Sequence, residues 1–417
     1  MAEVNTRKRG SKWEYRFEIA SVGGKRKQKS KGGFRTKKEA LEAGTKALND
    51  YNQGGINNIL DTNMSFSDFI DYWFENYAKL NYKYNTLQQY SGHISNHIKP
   101  QLGVYRIQSI TPVVLQEFIN GLFLKGLSKS HTTGIKSTVS KILDYAVFPM
   151  QYLRYNPCKA TITPKFESSD SIRYIISHED FKRILERFPE GNVFHVPLML
   201  GFHCGLRISE SYALTWDDVD FVNKTISINK IIYKRYKELG DYSKSLGWYI
   251  GTTKTSSSNR TLYIDDVLLN TLKKEKIRQN ENRIYYGEYY TNQYISLDKD
   301  ERNRDIKSIV EMKSNVHTDL EKINFISVKE NGLLSTTESF KYCARVIKHE
   351  LKINFNHHSL RHTHATMLNE NNINPKAIQS RLGHSRIDMT DKYTHDTDIL
   401  NKEAAKVFEK VIGGHNK

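Results

Sequence analysis

Two stretches without apolar periodicity cut this chain into three pieces, and no other feature limits its fold as much. Gln53-Gly54-Gly55 reads as a linker, and so does NPCKATITPKFESSDS at 156–171, with its two prolines and serine cluster. The pieces they separate run over 1–55, 63–155 and 173–417. A length of 417 residues also leads one to expect two or three domains.

The first piece is small and basic. In KWEYRFEIA, Trp13, Tyr15, Phe17 and Ile19 alternate with Glu14, Arg16 and Glu18, the period of a half-buried strand. Gly23-Gly24 marks a turn, and KRKQKSK at 25–31 a charged partner strand. Thr36 and Glu39 form a capping box for a helix over 36–51, with Ala40, Leu41, Ala47, Leu48 and Tyr51 on its apolar face. A unit this small can present a sheet face to DNA, with Arg16, Lys25, Arg26, Lys27, Lys29 and Lys31 as candidate contacts.

The second piece is helical. Phe66, Phe69, Ile70, Trp73, Phe74 and Tyr77 follow helical spacing. A second helix spans about Thr86 to Ile98 and stops before Pro100. A third starts at Thr111-Pro112, and a fourth covers roughly Lys129 to Phe148, giving a small bundle. The third piece opens with a helix capped by Ser177 and carrying Phe181, Ile184, Leu185 and Phe188. Strands follow at 225–233, 248–255 and 260–265, and the end is helical. The charged, Tyr- and Asn-rich segment 273–320 reads as an insertion or a long exposed helix.

Composition narrows the function. Sixty-three Lys+Arg against 46 Asp+Glu leave a net charge of +17, which favours a polyanionic partner, nucleic acid first. The 18 Phe, 25 Tyr and 4 Trp exclude wholesale disorder. No stretch approaches the ~18 apolar residues of a membrane span, and the N-terminus lacks the apolar core of a signal peptide. Cys158, Cys204 and Cys343 are too few and too scattered for a disulfide framework or a thiolate metal cage. The expectation is a cytosolic, reduced protein with no membrane partner.

Four segments carry residues suited to chemistry. In HHSLRHTHATML at 357–368, His358 and His362 stand at i, i+4, a spacing that could hold a metal, but the glutamate of a zincin motif is absent. His358 and Arg361, at i, i+3, share a helix face and together could grip one phosphate. In GFHCGLRISESYALTW at 201–216, Arg207 follows a helix stop at Cys204-Gly205, and Glu210 lies three residues on, placed to hold the guanidinium or simply to pair with it at the surface. Lys254, in GTTKTSSSNRTLYI, rides the tip or edge of a hairpin, where a lysine is otherwise just a solvated charge. In RLGHSRIDMTDKYTHD, His384 follows Leu382-Gly383, and Tyr393 lies nine residues later among polar neighbours.

Arg207 in GLRISE, Lys254, HSLRH around His358 and Arg361, LGHS with His384 and DKYTH with Tyr393 resemble, in order and spacing, the tyrosine recombinases of the phage-integrase family. The likeness is strong over 173–400. Residues 63–155 resemble that family's core-type DNA-binding domain. Residues 1–55 resemble the arm-type domain of integrases from phages and conjugative transposons. Ser359 stands where an acidic residue is common, and His364 where Phe is common. The fold class implied is multidomain α+β: a three-stranded sheet plus helix, a helical bundle, and a mainly helical mixed α/β catalytic domain with a small antiparallel sheet.

The resemblance also implies the chemistry. Tyr393 attacks the scissile phosphorus, giving a 3′-phosphotyrosyl link and a free 5′-hydroxyl, and His358 takes the phenol proton. Arg207 and Arg361 bind the non-bridging oxygens, Lys254 protonates the departing oxygen, and His384 hydrogen-bonds the phosphate. No cofactor, metal or ATP is called for, and no Walker-type motif is present. The partners implied are double-stranded DNA at core and arm sites, a homotetramer on paired sites, and an excisionase or directionality factor. The setting implied is the bacterial cytoplasm at the nucleoid. NKEAAKVFEKVIGG at 401–414, with Ala404, Val407, Phe408 and Val411 on one stripe, packs on its own domain or, as the resemblance favours, on a neighbour. The rivals are a topoisomerase IB-like relaxing enzyme, a chromosome-dimer resolvase, which normally lacks the N-terminal domain, and a non-catalytic repressor.

Overall fold

A computed structural model describes residues 4–22, 25–54, 64–166, 174–236, 246–253, 256–300 and 302–386. The Gly23-Gly24 turn, Lys254, Tyr393 and the segment 401–414 lie outside the described residues. The chain divides into two units, Met1–Glu167 and Ser168–Lys417.

In the first unit, β1 (Asn5–Arg9), β2 (Lys12–Val22) and β3 (Lys25–Phe34) form the expected three-stranded antiparallel sheet. Helix α1 (Lys37–Gly54) begins where the Thr36 hydroxyl accepts from the Glu39 N–H at 3.1 Å. The Glu39 carboxylate reaches back to the Arg35 N–H at 2.9 Å. Tyr15, Phe17 and Ala47 join sheet to helix. The helix continues through Gln53 and Gly54, read above as linker, because a glycine in the last turn costs it little. Opposite residues of paired strands share a face. Phe17 stands opposite Lys29 and Tyr15 opposite Lys31, whereas Arg16 stands opposite Ser30. The candidate contacts Arg16, Lys29 and Lys31 are therefore divided between two sheet faces.

The bundle comprises α2 (Phe66–Trp73), α3 (Lys79–Asn81), α4 (Tyr84–His93), α5 (Lys99–Leu102), α6 (Pro112–Leu124) and α7 (Lys129–Val147). Ser65, Thr111 and Ser128 cap α2, α6 and α7 through their hydroxyls. Phe66, Phe69, Ile70 and Trp73 are fully buried, as their spacing requires. Phe74 and Tyr77 are only half-buried, because a π-turn at Phe74–Ala78 rotates the face. The helical path does not stop before Pro100. A second π-turn, Ile94–Ile98, with the Lys99 N–H bonded to the Ile94 carbonyl, carries it on to Leu102. The widened turn makes room for a residue with no N–H. Residues 156–166, the start of the expected linker, pack on α7: Asn156 donates to the Ser140 carbonyl and the Asp144 carboxylate, each at 2.9 Å, and Lys136 to the Thr161 carbonyl at 2.7 Å.

In the second unit, α8 (His178–Arg187), capped by Ser177 as expected, leads into α9 (His195–Cys204) and α10 (Ile208–Ser211). The later helices are α11 (Asp266–Tyr286), α12 (Phe340–His349), α13 (His357–Glu370) and α14 (Pro375–Leu382). Leu198 and Leu200 of α9, Leu268 and Leu272 of α11, and Leu360 of α13 share one core. Strands β4 (Val219–Asp220), β5 (Thr225–Ile228) and β8 (Arg260–Tyr263) form one antiparallel sheet. Strands β6 (Lys230–Tyr236), β7 (Leu246–Thr252), β9 (Thr291–Lys299), β10 (Asp305–Lys313) and β11 (Glu321–Ile323) form another, in the order β11-β9-β10-β7-β6.

Two expectations are corrected here. The strand read at 225–233 breaks at Asn229 into β5 and β6, which join different sheets. Likewise β7 and β8 do not form a hairpin about Lys254: β7 pairs with β6 and β10, and β8 with β5. The strands on either side of Lys254 thus belong to different sheets. Alternation reveals a strand's buried face but not its partner. Segment 273–320 resolves into the end of α11 and a long β9–β10 hairpin, paired from Asp305 with Lys299 to Lys313 with Thr291.

Candidate active site

Gly205, at φ +62°, ends α9 in a left-handed turn that sends the chain directly into α10. Arg207 stands at the N-cap position of α10, and Glu210, three residues on, holds it as the sequence suggests. One Glu210 oxygen accepts from the Arg207 guanidinium at 2.7 Å, the other from the Arg207 backbone N–H at 3.1 Å. That second oxygen also accepts from Arg260 at 3.1 Å. Burial alone would raise the Glu210 carboxyl, but Arg260 and Arg207 overcome it and hold the group below its ordinary range. The Arg207 side chain keeps 28% exposure, enough to meet a ligand.

His358 and Arg361 both lie on α13, but in different surroundings. His358 is exposed, its ring 4.5 Å from that of His362. Arg361 is 0% exposed, and its terminal nitrogens donate to the Gly205 carbonyl at 2.7 Å and the Leu382 carbonyl at 2.6 Å. Those bonds join the end of α9 to the end of α14. Gly383, at φ +64°, turns the chain out of α14 and into His384. Burial, then the Arg361, Arg207 and Arg260 guanidiniums and the His358 ring, hold His384 down to about 3. His384 is therefore neutral near pH 7 and offers a hydrogen bond, not a charge. The same facts place Arg207, His358, Arg361 and His384 around one spot. At such a spot Arg207 and His358 keep surface that can meet a phosphate, whereas Arg361 is wholly enclosed and can add only its charge.

The histidine run does not act as a unit. His357 is buried edge-on to Phe340, and His364 bonds the Phe202 carbonyl at 2.9 Å and accepts from Arg381 at 3.0 Å. Burial pushes His357 down to about 4, and burial with the nearby Arg381 pushes His364 down to about 3. Among the described residues, no group of three or more His, Cys, Asp or Glu is placed to hold a metal. A histidine kept neutral in the fold and free to protonate when unfolded makes stability fall as pH drops below ~6.5, by at most about 1.4 kcal/mol per pH unit. His357, His364 and His384 share this sign, so denaturant midpoints should fall steeply from pH 7 to pH 5. Equal midpoints at the two values would refute this.

Lys254 and Tyr393 lie outside the described residues, and the description of the site rests on its arginines and histidines. Sequence reasoning passed over Arg260 and Arg381. Arg381 donates to the Tyr263 and His203 carbonyls, both at 3.1 Å, tying β8 and α9 to α14. Arg381 stands three residues before His384, but Gly383 breaks the helix between them, and Arg260 meets its partners only through distant segments.

A family model described as the phage integrase family matches residues 176–399, more than half of the chain. The chain belongs to that family. As a member of the phage integrase family it is a site-specific recombinase. Residues 65–123 match a phage integrase N-terminal SAM-like domain, and residues 3–50 an Arm DNA-binding domain. A tyrosine recombinase XerC-like protein of Caldanaerobacter subterraneus subsp. tengcongensis is 26% identical over 90% of this chain and 89% of its own length. The ICEBs1 integrase of Bacillus subtilis strain 168 is 25% identical over 90% of this chain and 91% of its own. The Tn1549 transposon integrase, solved in complex with transposon right end DNA, covers 84% of this chain with all of its own, at TM-score 0.61 and 18% identity, a likeness of fold. No described helix of this phage integrase family member is long and apolar enough to cross a membrane.

Proposed function

We propose that this chain integrates and excises a mobile element by cutting and rejoining DNA through a 3′-phosphotyrosyl intermediate. The observation that carries the proposal is the gathering of Arg207, His358, Arg361 and His384 at the end of α14, a few residues before Tyr393. Arg207 and Arg361 neutralise the non-bridging oxygens as charge builds on them. His358 takes the Tyr393 proton, Lys254 gives one to the 5′-oxygen, and neutral His384 donates a hydrogen bond to the phosphate. The phosphotyrosyl bond keeps the energy of the broken phosphodiester, so rejoining needs no ATP.

Residues 63–155 serve as the core-site grip, and residues 1–55 as the arm-site grip through Arg16, on the sheet face away from Tyr15 and Phe17, while Lys29 and Lys31 stand on the other face. Four copies assemble on paired sites in the bacterial cytoplasm, with an excisionase setting direction. The match to an Arm DNA-binding domain and the likeness to integrases of mobile elements favour this over a chromosome-dimer resolvase.

The test uses duplexes chosen from a random pool by their binding to the full chain. Strand exchange between two of them should proceed in excess EDTA, because two arginines and a lysine supply the positive charge. Loss of activity in EDTA with rescue by Zn²⁺ would restore the metal reading. Relaxation of any supercoiled plasmid would favour the topoisomerase reading, and binding without cleavage the repressor.

A further inference from the structure

Three successive carbonyls at the end of α14 are taken by three different arginines. Arg260 donates through Nε to the Arg381 carbonyl at 2.7 Å, Arg361 to the Leu382 carbonyl at 2.6 Å, and Arg207 to the Gly383 carbonyl at 3.5 Å. A helix end concentrates partial negative charge on its last carbonyls, and cations there are favoured. Arg207 and Arg361 already belong to the proposed site; Arg260 has no assigned part in it.

The Arg260 side chain is only 6% exposed, and its fork points three ways. Besides the Arg381 carbonyl, it reaches the Ser258 carbonyl at 2.9 Å and the Glu210 carboxylate at 3.1 Å. Glu210 is the residue that holds Arg207. Ser258 stands two residues before Arg260, and its hydroxyl approaches the Gly383 carbonyl at 3.5 Å. The packing is close: a Cβ on Gly383 would lie 3.0 Å from an Arg260 terminal nitrogen and 3.1 Å from the Ser258 Cα.

We infer that Arg260 is a positioning residue for strand cleavage: one buried guanidinium sets Arg207 through Glu210 and His384 through the last turn of α14. The inference rests on the recombinase reading of the site. A planar fork can serve three acceptors in fixed directions, whereas an ammonium is a point charge. Displacing catalytic groups by about 1 Å costs a rate of the order of 100-fold.

Arg260→Met and Arg260→Lys, made in the full chain, are compared with the parent on a nicked duplex chosen by its binding. DNA affinity is expected to stay within about twofold, since the fork faces protein groups. Single-turnover covalent adduct formation should slow by about 100-fold in Arg260→Met and by at least about tenfold in Arg260→Lys. Rates are read per folded molecule, with the folded fraction of each variant measured at the same pH. A merely structural role would lower the folded fraction and leave the rate per folded molecule at the parent value. A parent rate in Arg260→Met, or a loss matched by the folded fraction, overturns the inference. Should Arg260→Met not fold, a parent rate in Arg260→Lys overturns it. A parent chain that forms no adduct overturns the recombinase reading instead.

Discussion

Tyr393→Phe should hold DNA as the unaltered chain does and form no covalent bond with it. The substitution keeps the ring and removes only the oxygen that would attack phosphorus, so the loss of reaction should be complete. A nicked duplex makes the comparison clear, because the short 5′ fragment diffuses away and the phosphotyrosyl bond cannot reverse. The unaltered chain should carry DNA through denaturing electrophoresis, and peptide mapping should find the nucleotide on the peptide with Tyr393. A band that survives in Tyr393→Phe, or an adduct on the half-exposed Tyr342, would remove Tyr393 from the mechanism.

Arg361→Met should damage fold and chemistry together, unlike Tyr393→Phe. Arg361 has no exposed surface, and its removal takes the donors from the Gly205 and Leu382 carbonyls. Two buried charge-assisted bonds of this kind are worth about 3–5 kcal/mol. In a unit of this size that lowers the unfolding midpoint by about 10 °C. The cleavage rate should fall by ~100-fold or more even well below that midpoint, as two site elements lose their tie and the phosphate loses a cation. Arg361→Lys restores charge but not the fork, so it should recover stability better than rate. A variant as stable and as active as the parent would mean that Arg361 serves neither purpose.

What could be read in the sequence was what lies within one turn of helix. Arg207 and Glu210 stand three apart, and helical geometry alone predicts their contact, whereas His358 and Arg361, equally spaced on α13, end in different surroundings, one exposed and one enclosed. The Phe66–Trp73 helix was legible from apolar residues at helical intervals, and the Ser177–Phe188 helix from a cap followed by such residues. What could not be read depends on distant segments. Arg260 meets Glu210 across 50 residues and the Arg381 carbonyl across 121, and no periodicity records such a meeting. The strands before and after Lys254 were visible as alternation, but alternation does not name the partner strand, and a hairpin was the wrong inference. Pro100 misled for another reason. A proline forbids one N–H bond, and a π-turn just ahead of it is a local remedy that residue types do not announce.

The division of the strands around Lys254 between two sheets has a consequence for how reactivity can be adjusted. Strand β7 ends at Thr252, two residues before Lys254, and is hydrogen-bonded to β10 through the pairs Ile250–Lys307 and Tyr249–Ser308. Ser258 and Arg260, after Lys254 in the chain, belong to the arginine network. Strands β7 and β8 are thus tied to the β9–β10 hairpin on one side and to the arginine network on the other. With Lys254 proposed between them as the leaving-group acid, lengthening, shortening or re-registering that hairpin is a route by which evolution or an engineer can retune the timing of proton delivery without altering any residue proposed to meet the phosphate.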